Sequence, residues 1–234
     1  MLKSKERIRL FSISFIAVEL VFSLAVHTVS GLPNDFVSVG AIGLACLFAA
    51  LFFQRNDDYL LVQLGLVCTV LADVFLLILE PREQLIAMLF FSVTQICYFI
   101  RLFLWDKKHR AAHLAVRIMV TLVALLTTCL VLGDRTDPLS LVSLFYFANL
   151  TVNAVWAFIE CKTSRLFGPG LVLFLLCDIC VGLSVMSADY IPVAEGSLLY
   201  FLINPGFNLA WVFYIPAQVL IALSLAEKAL KEKV

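Results

Sequence analysis

Two aspartates stand where a charge is costly. Asp73 lies in Thr69-Val70-Leu71-Ala72-Asp73-Val74-Phe75-Leu76-Leu77, and Asp178 in Leu173-Phe174-Leu175-Leu176-Cys177-Asp178-Ile179-Cys180-Val181-Gly182-Leu183. An ionisable side chain inside such an apolar run costs about 3 kcal/mol on membrane-insertion scales, so its presence points to function by default. Asp73 follows Asp58 by fifteen residues and Asp178 follows Arg165 by thirteen. At about 1.5 Å per helical residue, both stand about 20 Å from the same membrane surface. Two buried carboxylates at one depth can divide acid and base work, one keeping a proton while the other stays ionised. Glu19 is a third carboxylate in an apolar run; it reads either as a helix-pairing group or as a functional one.

Other polar residues fall into register with this pair. Each aspartate run is followed by an apolar run that carries a glutamine, Gln95 after Asp73 and Gln218 after Asp178, with Tyr98 and Tyr214 close by. Tyr146, Asn149, Asn153 and Trp156 step by three, four and three, and Asn204, Asn208, Trp211, Tyr214 and Gln218 by four, three, three and four. Each set shares one helix face. The expected substrate-binding set is therefore Gln95, Tyr98, Asn149, Asn153, Tyr214 and Gln218. For the two asparagines helix-to-helix hydrogen bonding is the competing reading, and for the tyrosines it is packing. His27, His109 and His113 read as surface or loop groups. The four-residue spacing of His109 and His113 suits a metal, but no acidic or thiol partner joins them in sequence, and neither a metal nor another cofactor is expected.

The elements that position these residues follow from composition. Of 234 residues 62% are hydrophobic and 15% charged, and the mean hydropathy is +1.02. Soluble domains are about half apolar and a quarter charged, which excludes a water-soluble enzyme. Apolar runs near 9–27, 37–54, 60–79, 85–104, 112–132, 140–159, 167–187 and 206–226 predict eight transmembrane helices in one domain spanning 1–234. Helix is the spanning structure because lipid offers backbone groups no partner, and no dyad alternation marks a barrel. The fold class is an all-α membrane bundle, and the paired Asp and Gln helices suggest two four-helix halves related by a parallel repeat. Ile203-Asn204-Pro205-Gly206 should break the entry to the last helix.

Charge sets the orientation. Seventeen Lys plus Arg balance seventeen Asp plus Glu, which leaves no basic face for nucleic acid. Of those cations only Arg82 and Arg135 fall on the side opposite the termini, so both termini are expected in the cytoplasm, in a plasma or internal membrane. The basic segment Lys107-Lys108-His109-Arg110 should rest on anionic headgroups. Six of seven cysteines lie in apolar runs and only Cys161 in a loop, which is neither a disulfide framework nor a zinc spacing. The first apolar run, after Lys3, Lys5, Arg7 and Arg9, reads as a retained helix rather than a cleaved signal.

Four segments resemble the YhhN-like lysoplasmalogenase family of multi-pass membrane proteins. Leu71-Ala72-Asp73-Val74-Phe75-Leu76-Leu77 is similar to the family's Gly-Asp-x-x-Leu segment, with Ala72 at the glycine. Phe91-Ser92-Val93-Thr94-Gln95-Ile96-Cys97-Tyr98 is similar to Phe-x-x-x-His-x-x-Tyr, with Gln95 where the family has histidine. Gly170 to Asp178 resembles Gly-x-x-x-Phe-x-x-Ser-Asp, with Cys177 for serine, and Phe213 to Ala222 resembles Tyr-Tyr-x-x-Ala-Gln-x-Leu-Ile-Ala. The resemblance implies hydrolysis of the vinyl ether bond of a lysophospholipid, the lysoplasmalogen, to a fatty aldehyde and a glycerophospho-alcohol. It also implies that Asp73 and Asp178 are catalytic. A non-enzymatic lipid-binding or transport protein is the alternative reading, and membrane lipids are the expected surroundings in either case.

Overall fold

In a computed structural model the chain is described over residues 5–29, 33–52, 57–160, 162–189, 193–197, 200 and 209–232. The described residues form eight α-helices: α1 Lys5–Thr28, α2 Asn34–Ala50, α3 Asp57–Asp73, α4 Gln84–Trp105, α5 Arg110–Leu132, α6 Pro138–Ile159, α7 Phe167–Asp189 and α8 Leu209–Glu232. Seven helical segments are long and apolar enough to cross a membrane, while α2 has 17 residues. The chain is an all-α multi-pass membrane bundle. The expected break at 203–206, with Asn204 and Asn208, lies outside the described residues.

Helix packing follows a two-fold pattern. In the first half α1 packs on α2, α2 on α3 and α3 on α4; in the second, α5 packs on α6, α6 on α7 and α7 on α8. Contacts of α4 with α6 and of α2 with α8 close α2, α3, α4, α6, α7 and α8 into a ring. The helices α1 and α5 lie outside it. Their outer faces are apolar and bare, with Leu20, Val21 and Leu24 on α1 and Leu122, Leu126 and Leu130 on α5 all exposed, as lipid contact requires. The Asp helix packs on the following Gln helix in both halves, as the suggested repeat expects, while α1 packs on α8 as well as on α2.

Small residues let the ring helices approach. At Gly65 an added Cβ would fall 2.5 Å from the Tyr98 ring, and at Gly170 it would fall 2.9 Å from Ile221. Close approach of this kind is how apolar helices gain packing contact where water supplies no driving force. The Gly65 carbonyl also accepts from the hydroxyls of Thr69 and Thr94, tying α3 to α4.

A buried ionic clamp fixes the basic end of the ring. Arg101 on α4 donates from Nε and Nη2 to the Asp58 carboxylate on α3, each at 3.2 Å, and from Nη1 to Ser224 on α8 at 2.9 Å. Lys228 on α8 reaches the same carboxylate at 3.2 Å, and the Arg101 guanidinium lies over the Phe167 ring at the start of α7. A charge at this depth is tolerated because it is paired and hydrogen-bonded.

Candidate active site

Asp73 is the last α-helical residue of α3. Beyond it Val74–Ile78 widens into a π turn, closed by the Leu79 N–H donating to the Val74 carbonyl at 3.0 Å. Such turns concentrate at functional positions because they redirect side chains that a regular helix would carry round its axis. The Tyr214 hydroxyl, from α8, donates to both Asp73 oxygens, at 3.0 and 2.9 Å. On α7, Asp178 accepts from the Tyr146 hydroxyl of α6. Asp73 is buried and Asp178 half-buried.

These two Asp–Tyr pairs flank one ring. Phe174, one turn before Asp178 on α7, lies with its centroid 5.3 Å from Tyr214 and 6.4 Å from Tyr146. Phe91 packs on Tyr146 and Phe174 from α4, and Trp211 on Tyr214. Through their tyrosines both carboxylates border the Phe174 ring. The structure thus brings two acids from equivalent helices into one aromatic-walled region.

The remaining expected site residues divide. Tyr214 joins the aspartates directly. Gln218, one turn further along α8, is buried, and neither its Oε1 nor its Nε2 has a hydrogen-bond partner among the described residues. Tyr98 is wholly buried against Gly65 and Phe167, its hydroxyl likewise unpartnered. Asn149 and Asn153 turn instead to a cation. Arg117 on α5 donates from Nη1 to Asn149 Oδ1 and from Nη2 to Asn153 Oδ1, while Asn153 Nδ2 donates to the Gln95 side-chain oxygen at 3.0 Å. One stripe on α6 therefore serves two sites: Tyr146 faces Asp178, and the asparagines face Arg117 and Gln95.

Two sequence readings need correction. His113 is no surface group: it is fully buried, stacked at 4.2 Å on Trp156 and within hydrogen-bond distance of the Arg117 guanidinium. Arg117 itself is absent from the expected set of ionisable groups at depth, which held only Glu19, Asp73 and Asp178. It lies near the start of the apolar run 112–132, where it counts only as one of the cations on the side of the termini. Glu19 is buried with both oxygens unpartnered among the described residues.

Acidic partners for His109 do exist in space. Asp106, His109 and Glu160 bring ligand atoms within 4.8 Å of one another, whereas His113 turns away to Trp156. The Asp106 carboxylate is already engaged: it accepts from the backbone N–H of Lys108 and His109 and from the Trp156 indole at 2.9 Å. These bonds account for the carboxylate as the lock of the α4–α5 turn.

A family model described as the YhhN family matches residues 34–225. The chain belongs to the YhhN family. No curated protein and no solved structure matches it. The matched region runs from α2 to residue 225 in α8, so in this YhhN-family chain it includes both aspartates, both partner tyrosines and all of the six-helix ring except the end of α8.

Proposed function

We propose that this YhhN-family protein is a lipid hydrolase that cleaves the vinyl ether bond of lysoplasmalogens. The observation that carries the reading is the pairing of two inward aspartates, each held by a tyrosine hydroxyl, on either side of Phe174. Vinyl ether hydrolysis needs an acid that protonates carbon and a negative charge beside the cation that follows. A carboxyl pair supplies both.

In this mechanism the protonated carboxyl gives its proton to the vinyl carbon remote from oxygen, leaving an oxocarbenium ion at the carbon that bears the oxygen. The ionised carboxylate stabilises that cation and takes a proton from the attacking water. The resulting hemiacetal collapses: its carbon–oxygen bond to glycerol breaks as the second carboxyl gives its proton to the glycerol oxygen, the first carboxylate takes the hemiacetal hydroxyl proton, and the aldehyde is released. One water is consumed, and the carboxyl pair returns to its starting charge. Tyr146 and Tyr214 orient the carboxylates, Gln218 is available to position water, and the apolar helix faces accept the alkenyl chain.

Purified protein in detergent, given lysoplasmenylcholine or lysoplasmenylethanolamine, should release fatty aldehyde. No aldehyde from freshly prepared wild type between acid and alkaline pH rejects the proposal. A non-enzymatic lipid carrier is favoured by one feature, Gln95 engaged with Asn153 where a proton-carrying histidine is otherwise found; ligand uptake without product identifies it. The excess of cations at the end carrying the termini supports a cytoplasmic placement of that end, which a reporter fused after Val234 tests by its activity on one side of the membrane.

A further inference from the structure

The mechanism leaves unused a cavity of about 520 Å³ at the basic end of the bundle, lined by Phe158, Lys162, Arg165, Gly168, Pro169 and Lys231. It sits where α6 ends, α7 begins and α8 passes, far along α7 from Asp178. Three of its six lining residues are cations.

The turn that carries two of those cations is held rigidly. Glu227 on α8 accepts from the Ser164 hydroxyl at 2.8 Å, from the Arg165 N–H at 3.0 Å and from the Leu166 N–H at 3.3 Å, and pairs with Lys231 at 2.7 Å. Lys231 also donates to the Thr163 carbonyl. Glu227 is thus occupied by the turn it braces. No acidic partner meets the side chains of Lys162 and Arg165 among the described residues, and the cavity keeps an excess of positive charge on a fixed frame. Its other walls are apolar, and beside Phe158 the exposed Val155 and Ile159 continue the same face of α6 into the membrane.

We infer that this cavity binds the phosphate headgroup of an anionic phospholipid, with the acyl chains lying along Val155, Phe158 and Ile159. Basic pockets between helices at the membrane surface recognise lipid phosphate through just this combination of cations above and apolar wall below. A free phosphate would use only the upper part. The cavity is independent of the aspartates, so the inference stands whether or not the chain hydrolyses vinyl ethers.

Native mass spectrometry of the full chain, titrated separately with dioctanoyl phosphatidate, dioctanoyl phosphatidylcholine and inorganic phosphate, tests it. Phosphatidate should form a saturable one-to-one adduct that phosphatidylcholine does not match and that equimolar inorganic phosphate does not displace. Lys162→Gln with Arg165→Gln should weaken that adduct about tenfold or more, at roughly a factor of five per cation lost. Lys107→Gln with Lys108→Gln, on the neighbouring loop, should leave it unchanged. Both double variants alter exposed side chains, and their monodisperse elution verifies folding. Equal binding of the two phospholipids, equal loss in both double variants, retention of binding without Lys162 and Arg165, or displacement by inorganic phosphate would each overturn the inference.

Discussion

The Tyr214 hydroxyl on α8 bridges both oxygens of Asp73 on α3, at 3.0 and 2.9 Å, joining helices that are 141 residues apart in sequence at these positions. Tyr214 lies four residues before Gln218, and Phe91 lies four before Gln95, so the two occupy equivalent places in the repeat. Only one has a hydroxyl. Asp178 accordingly takes its donor from Tyr146 on α6, and the two acids are equivalent in position but not in surroundings.

Replacing Tyr214 by Phe strips Asp73 of the hydroxyl that holds it while keeping the ring that packs on Phe174. A buried polar group left without a partner costs about 1–3 kcal/mol. The expected result is that loss in detergent unfolding, with aldehyde release reduced about tenfold or more, since each 1.4 kcal/mol is a factor of ten. Tyr146→Phe should act in the same direction on Asp178. Unchanged rate and stability in both variants would remove the tyrosines from the proposed mechanism.

Asp73→Asn and Asp178→Asn separate chemistry from packing. Each keeps shape and hydrogen-bonding capacity but removes an acid or its conjugate base, an effect of about 100- to 10,000-fold in general acid–base catalysis. Both variants should elute as folded protein, bind a non-hydrolysable ether analogue and release aldehyde at no more than a hundredth of the wild-type rate. Full activity in either variant contradicts the division of labour between the two acids.

The helices were legible because each is a long apolar run punctuated by Gly, Pro, Asn and charge, and the aspartates because a charge in such a run stands out. The partner of Asp178 was not. Tyr146 falls on a visible polar stripe, but that stripe turns at Asn149 from the aspartate to Arg117, a division decided by which helices flank α6 in the ring. The burial of His113 and Arg117 is hidden for a related reason. Both follow a basic loop in sequence, and only the packing of α5 on α6 carries them inward. The π turn after Asp73 leaves no mark in Val74-Phe75-Leu76-Leu77-Ile78, a run that fits an ordinary helix equally well.

Arg117 should be a stability residue. It ties the outer helix α5 to the ring, donating to Asn149 and Asn153 and lying 4.1 Å over the Phe99 ring. Arg117→Met keeps much of the volume but leaves two buried amide oxygens without their charged donor. Hydrogen bonds to a charged group contribute about 1.5–3 kcal/mol each, so a loss of about 3 kcal/mol is expected in denaturant unfolding. A change below about 0.5 kcal/mol means that the Arg117 hydrogen bonds do not hold α5 to the ring.

Asp106 gives the bundle an acid-sensitive turn. Burial works to raise its carboxyl pKa, but the His109 N–H, the Trp156 indole, the Lys108 N–H and the nearby His109 ring together hold it below the usual carboxylate range. The folded form therefore binds its proton more weakly than the unfolded form. Its contribution is complete above about pH 4, the ordinary value for Asp, and is lost as the pH falls through the lower folded value. With Trp105 and Trp211 replaced by Phe, the emission of Trp156 should stay level from pH 7 to 5 and shift below about pH 4. Asp106→Asn should remove that shift. The same acid transition in the Asn variant would assign it to another group.

Gln95→His tests whether this chain has a working site that lacks one proton carrier. Gln95 is wholly buried; its side-chain oxygen accepts from Asn153 Nδ2, and its Nε2 has no partner among the described residues. A neutral imidazole has one N–H and one bare nitrogen: with the N–H donated to the Asn153 side-chain oxygen, the bare nitrogen is left to take a proton from water, which an amide cannot do. General base assistance is worth about 100-fold or more. Aldehyde release should therefore rise at least tenfold, and the gain should grow as the pH passes upward through about 6.5, where an ordinary histidine loses its charge. The gain should vanish when Asp73→Asn is added, because a base that activates water has nothing to attack until the acid has protonated the vinyl carbon. A folded Gln95→His protein that is no faster at any pH would show that Gln95 belongs to the Arg117 network alone and that water is activated elsewhere.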